Sequence, residues 1–215
     1  MSSLVPRQLV AFFQQAYAER AHLIEQRLEE FAAVGQQPEA TFYELCYCLC
    51  TPLTKASHAI AAIEKLRRCD FYRYPLPLED IEGLLRDPSH YIRFHRTKAC
   101  RLLLAHRLFP KLWELRHTPQ PATVLRRQLV AEVPGFGMKE ASHFLRNTGE
   151  RHLAVLDRHV VRWMRRLGYT VRLSGSVKGY EQAEGLFCRI AFELGFLPAA
   201  LDLLWWSLET GEVLR

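Results

Sequence analysis

Apolar residues recur along most of this chain at helical rather than alternating spacing. From 7 to 34, Leu9, Phe12, Phe13, Ala16, Leu23, Ile24, Leu28 and Phe31 keep to three- and four-residue steps, which predicts one long helix. A second helix is predicted over 39–50, stopped by Thr51-Pro52, and a third over 54–68 with Ile60, Ile63 and Leu66 on one stripe. Tyr74-Pro75-Leu76-Pro77 breaks the pattern. Further helices are predicted near 78–86, 89–108 (carrying Ile92, Lys98, Leu102 and Leu103), 122–133, 138–148, 157–167, 179–194 and 197–209. Gly168 and Gly195 sit at C-cap positions. The one strand-like alternation is at 170–173, and there is no internal repeat or low-complexity tract. The expected fold class is all-α.

Composition narrows this picture slightly. The 215 residues suffice for one large domain or two small ones, and 49% hydrophobic content argues against disorder. The net charge of +6, carried by 23 Arg and 6 Lys, points weakly to a polyanionic partner. No apolar run is long enough for a membrane span, and the first residues do not read as a signal peptide, so the expected location is cytoplasmic. The six cysteines are 46, 48, 50, 69, 100 and 188. Cys46, Cys48 and Cys50 fall in one predicted helix, with no second ligand group at a metal-binding spacing, so no metal site is expected. They read as small buried hydrophobes in a reducing compartment. The C-terminal third holds only Cys188, which excludes a four-cysteine iron–sulfur loop.

Chemistry concentrates between 134 and 157. Pro134-Gly135-Phe136-Gly137 forms a tight turn whose glycines, Gly135 and Gly137, let backbone N–H groups approach a ligand at the start of helix 138–148. Such a turn suits a DNA phosphate, although a purely structural turn has the same sequence. Lys139 follows in the first helical turn, where the helix dipole and nearby arginines favour its neutral, nucleophilic form. An ordinary solvated lysine is the plain alternative. Asp157 lies eighteen residues further on, where a helix begins. It can cap that helix and also face the amine, or stabilise positive charge on a sugar losing its base. Arg158, Arg162, Arg165 and Arg166 make a basic stripe opposite Val160, Met164 and Leu167, suited to a DNA backbone or to simple solvation. His159 reads as a structural histidine.

These residues carry a resemblance. The run from Val133 to Ala141 (VPGFGMKEA), with Leu156-Asp157-Arg158-His159 downstream, resembles the helix-hairpin-helix DNA glycosylases. The run from Lys139 to Asn147 narrows it to the archaeal-type 8-oxoguanine DNA glycosylase subgroup. So do Ile92-Arg93-Phe94 with Lys98-Ala99, and Trp206 with the segment from Glu209 to Val213. The resemblance implies an active site in a cleft between two helical subdomains, one spanning 40–151 and containing hairpin 134–137, the other 1–39 plus 152–215. It implies a bifunctional enzyme: the damaged nucleotide flips out, Lys139 attacks the sugar C1′, the base leaves, and the Schiff base cleaves the strand by β-elimination. Asp157 is the second catalytic residue. Trp206 and Arg215 would meet the base, and Gly135, Gly137, Arg158 and Arg162 the DNA backbone. No metal or organic cofactor is required. The implied partner is double-stranded DNA containing oxidised guanine, bound by a monomer in the cytoplasm at the nucleoid.

The chain departs from the subgroup at its end, where Arg215 stands in place of a terminal lysine. Trp206 reads equally as a core aromatic, as does Trp205, and Phe94 and Lys98 are given only packing or backbone roles. Two rivals remain: a related lyase for oxidised pyrimidines, and a non-enzymatic helix-hairpin-helix module that needs neither Lys139 nor Asp157.

Overall fold

The computed structural model describes residues 3–173 and 175–213. The helices run in the order α1 (Arg7–Val34), α2 (Pro38–Cys50), α3 (Ala56–Arg68), α4 (Leu78–Leu85), α5 (His95–His117), α6 (Ala122–Glu132), α7 (Met138–Arg146), α8 (Arg158–Arg166), α9 (Val177–Leu194) and α10 (Pro198–Thr210). A 3-10 turn at Pro88–His90 precedes α5. The described residues contain no strand, and 170–173 has no regular structure. The fold is all-α. No helix among the described residues is long and apolar enough to cross a membrane. The chain divides into two compact units, Val34–Phe144 and Met1–Ala33 with Leu145–Arg215, with boundaries at α1 and α7.

The Val34–Phe144 unit is organised around α2, which is buried continuously from Thr41 to Cys50. A helix buried on all sides must be surrounded, and α3 and α5 pack against it. The ring of Phe42 meets those of Tyr43, Phe71, Tyr72, His106 and Phe109 at centroid distances of 5.2–5.6 Å. Helix α5 starts six residues later than the spacing predicts, because Phe94 is left-handed (φ 58°) and ends any helix reaching it from behind. Ile92 precedes the helix and donates its N–H to the Leu85 carbonyl at 2.9 Å. The same helix then continues through Pro110 to His117. Phe109 and Leu112 remain buried on either side of the proline and hold those turns against the core, despite the missing amide bond.

Lys98 is a structural residue here. Its buried ammonium donates to the carbonyls of Cys50 and Pro52 at 2.7 Å each and to Thr54 Oγ1 at 3.0 Å. It satisfies oxygens that the end of α2 leaves without helical partners. Cys46, Cys48 and Cys50 are buried and form no disulfide, whereas Cys69 and Cys100 are exposed.

The other unit gathers Phe13 of α1, Trp163 of α8, Phe187 of α9 and Trp205 of α10. Trp205 lies 5.3 Å from Phe187, 5.7 Å from Phe13 and 6.1 Å from Trp163. Phe12 and Leu23, assigned to the apolar stripe of α1 by spacing, are 44% and 54% exposed. The buried guanidinium of Arg146 pairs with the equally buried Asp202, so neither charge is left uncompensated. Gly195 closes α9 as a left-handed C-cap. Gly168 follows α8 with φ 91°, and the Tyr169 N–H reaches back to the Met164 carbonyl.

The buried cysteines make stability sensitive to alkali. Burial holds the Cys46 thiol well above its ordinary value of 9.0 and lifts Cys50 to about 12. Unfolded thiols ionise near 9 while the folded ones stay protonated, so this contribution is whole below that pH and declines above it. Lys98 acts in the opposite sense. Burial lowers its ammonium from 10.5 to about 8, so its contribution rises with pH across that window. The two thiols outweigh the amine once they ionise in the unfolded chain, and the melting midpoint should fall between about pH 9 and pH 10. In the Cys46→Ala/Cys50→Ala variant that fall should shrink; an unchanged fall measured by calorimetry would contradict the assignment.

Candidate active site

The turn between α6 and α7 sets the position of Lys139. Val133 leaves α6 in an extended conformation, Gly135 takes φ 102°, and the Phe136 N–H donates to the Val133 carbonyl at 3.0 Å. Phe136 is buried and meets Phe144 at 6.1 Å, anchoring the turn to α7. The N–H of Gly137 donates to Glu140 Oε2 at 3.2 Å. This is the reciprocal arm of a capping box, with the third helical residue reaching back to the N-cap amide. Two hairpin amides are therefore occupied from within. Among the described residues, those of Met138 and Lys139 have no partner, as expected for the first turn of a helix.

Lys139 is the second residue of α7, and its side chain is 29% exposed. Its Nζ lies 3.8 Å from Glu140 Oε1. The sequence reading surrounded this amine with arginines, but the structure sets a carboxylate beside it. Because Oε2 of the same carboxylate holds the Gly137 amide, Glu140 is fixed at both ends.

Asp157 belongs to the other unit. It is the N-cap of α8, and its Oδ1 accepts from the N–H groups of His159 at 2.8 Å and Val160 at 2.9 Å. Both bonds use one oxygen; Oδ2 takes no protein hydrogen bond among the described residues. The segment leading to it is held from α9. Tyr180 donates its hydroxyl to the Ala154 carbonyl at 2.8 Å and accepts from the Leu156 N–H at 3.1 Å. Glu184 accepts from the Ala154 N–H at 3.1 Å. Leu153, Ala154, Val155 and Leu156 are all buried, so the carboxylate rests on a fixed ledge.

The basic stripe of α8 is largely engaged. Arg162 and Arg166 each hold one oxygen of Glu209 on α10, and Arg165 donates to the Val171 carbonyl at 3.0 Å. Burial pushes the Glu209 carboxyl upward, but the two arginines outweigh it and the net shift is downward. Arg158 is exposed, and its Nε donates to His159 Nε2 at 3.1 Å. His159 is not the fully satisfied histidine expected, because its buried Nδ1 has no partner. Trp206 is half-buried and meets His159 edge-on at 6.3 Å, whereas Trp205 is wholly in the core. Arg215 lies outside the described residues.

Lys139 thus stands with Gly137 and Glu140, while Asp157, Arg158, His159 and Trp206 stand together on the other unit. Sequence reasoning assigned no role to Glu140, Tyr180, Glu184 or Glu209, although Glu140 and Glu209 lie in the motifs that carry the resemblance. Only Glu140 had a local signal, its position three residues after a glycine N-cap. The others act across separations that spacing along one element does not reveal.

The profile described as "8-oxoguanine DNA glycosylase" matches residues 24–196. A Thermotoga petrophila protein named 8-oxoguanine DNA glycosylase/AP lyase is 36% identical over 196 residues, covering 89% of this chain and 91% of that one. A Methanocaldococcus jannaschii protein of the same name is 33% identical over 196 residues, covering 90% and 92%. The crystal structure of the 8-oxoguanine DNA glycosylase of that organism superposes with TM-score 0.87 at 31% identity, covering 97% of this chain and 96% of that one. Its complex with a 15mer DNA containing 8-oxoguanine matches with TM-score 0.87 at 30% identity, covering 97% and 100%. In family terms, then, the chain with Lys139 behind a glycine hairpin and Asp157 capping α8 belongs to the 8-oxoguanine DNA glycosylases of the helix-hairpin-helix type.

Proposed function

We propose that this protein excises 8-oxoguanine from duplex DNA and then cleaves the abasic strand, with Lys139 as nucleophile and Asp157 as its carboxylate partner. The observation that carries this reading is likeness over about nine-tenths of the chain to proteins named 8-oxoguanine DNA glycosylase/AP lyase.

The chemistry follows from the side chains. The damaged nucleotide leaves the base stack at a cost of about a few kcal/mol. The neutral amine of Lys139 attacks C1′; the bond from C1′ to the base breaks, and its electron pair leaves with the base. As that bond lengthens, positive charge develops on the sugar. The unengaged oxygen of Asp157 is suited to stabilise it, since Oδ1 is committed to the α8 cap and fixes the direction of the group. The amine then loses a proton, the sugar ring opens, and the resulting imine permits loss of a proton from C2′ with departure of the 3′ phosphate. An amine and a carboxylate suffice for these steps, and we propose no metal or organic cofactor.

Half-buried Trp206 offers a ring face to the extruded base, and the family resemblance assigns Arg215 to the same recognition. Gly135 and Gly137 shape the turn that receives the DNA backbone. Arg158 retains terminal guanidinium donors for a phosphate, whereas Arg162 contributes while tied to Glu209. The protein acts as a monomer in the compartment that holds DNA.

Two outcomes test this. Wild-type protein should cut a duplex carrying 8-oxoguanine opposite cytosine and leave undamaged and oxidised-pyrimidine duplexes intact, and Lys139→Gln should bind the first duplex without cutting it. Cleavage by Lys139→Gln would remove the nucleophile, and preference for the oxidised pyrimidine would overturn the substrate. Asp157→Asn keeps an oxygen for the α8 cap, so its melting midpoint should stay near wild type while cleavage falls by about a hundred-fold or more. Asp157→Ala should lose activity and also about 1 kcal/mol of stability. Equal activity in Asn and wild-type proteins would reduce Asp157 to a cap.

A further inference from the structure

The hairpin is flanked by a cation that the sequence pattern did not reveal. Arg101 lies on α5, one turn beyond Lys98, and its side chain crosses to Gly135. A β-carbon on Gly135 would come within 2.6 Å of Arg101 Cδ, 2.7 Å of Nε and 2.8 Å of Cζ. The guanidinium therefore fills the space that a side chain at 135 would need. The positive φ demands glycine at this position, and the absent β-carbon lets the flexible end of Arg101 lie this close.

Three other cations of α5 have protein partners. Lys98 is held by three oxygens, Lys111 donates to Glu132 at 2.6 Å, and Arg116 donates to the Gly35 carbonyl at 2.8 Å. Arg101 is half-buried, yet its guanidinium has no hydrogen bond or ion pair among the described residues. A guanidinium carries five donors in a planar fork, so this one arrives at the hairpin with its donors unfilled. The surroundings do not neutralise it either. The charged side chains bearing on neighbouring Lys98 include Arg93 and Arg101 but no carboxylate. The hairpin also uses its Gly137 amide internally, so its capacity for an anion must come largely from elsewhere.

We propose that Arg101 binds a backbone phosphate of DNA at the hairpin, a role that rests on the DNA-repair reading above. Its fork matches two phosphate oxygens, and the missing side chain at Gly135 lets the guanidinium lie against the turn, so that one phosphate can meet both. The open amides of Met138 and Lys139 add the positive end of α7 on the other side. The nucleophile would then be registered on the strand by two elements, α5 through Arg101 and α7 through its own first turn.

The test is equilibrium binding of a labelled 8-oxoguanine duplex, followed by fluorescence anisotropy across a salt series. Lys139→Gln serves as the reference, so that no strand is cut. Adding Arg101→Gln should weaken binding about ten-fold and reduce the slope of log affinity against log salt by about one. Adding Arg101→Lys instead should restore the slope but only part of the affinity, because lysine keeps the charge and loses the fork. Melting midpoints of all proteins establish that each is folded; if Arg101→Gln is not, the Arg101→Lys comparison decides by affinity alone. Unchanged affinity and slope in the folded Gln variant, or undiminished affinity in the Lys variant, would overturn the role of Arg101 and leave the repair reading intact. Absence of salt-dependent duplex binding by the Lys139→Gln reference would overturn both.

Discussion

The hairpin depends on space at Gly135. The residue must take φ 102°, which an L side chain resists, and its α-carbon must also lie against the Arg101 side chain. Any β-carbon would push Arg101 aside or shift the turn. The turn fixes where α7 begins, and α7 fixes Lys139 as its second residue. Glu140 completes the arrangement by returning one oxygen to the Gly137 amide and placing the other near the lysine. The position of the proposed nucleophile therefore rests on one glycine turn and one short cap.

On the other unit the same economy holds Asp157. A single oxygen caps α8 twice, and the approach from Leu153 to Leu156 is buried and bound by Tyr180 and Glu184. Capping and catalysis make compatible demands, since a carboxylate has two oxygens and the cap needs one. The positive charge of the chain is less available than its formal value suggests. Lys98 closes α2, Arg146 is paired in the core, and Arg162 and Arg166 hold Glu209. Arg101 and the outer part of Arg158 are among the cations that remain open.

Most helices were legible from spacing because their buried faces repeat at helical intervals; α1 begins and ends where its pattern does. The start of α5 was not legible, since a left-handed Phe94 breaks a pattern that is otherwise helical. Its continuation through Pro110 was missed for the converse reason: local propensity argued for a stop, and burial of Phe109 and Leu112 overrode it. The two residues assigned to chemistry stood out because glycines and a helix start mark their neighbourhoods. Their supports did not, because Arg101 lies 34 residues from Gly135, Tyr180 24 from Leu156 and Glu209 47 from Arg162. The basic stripe misled for a related reason, as the acid that engages it sits on α10.

The central claim is that Lys139 forms the covalent bond to DNA. The most direct measurement is to reduce the reaction with borohydride on an 8-oxoguanine duplex, digest the trapped complex and locate the sugar remnant by mass spectrometry. The account predicts the remnant on the peptide bearing Lys139 and on no other amine. A remnant on a different lysine or on the N-terminal amine, or no trapped species while strands are cut, would contradict it.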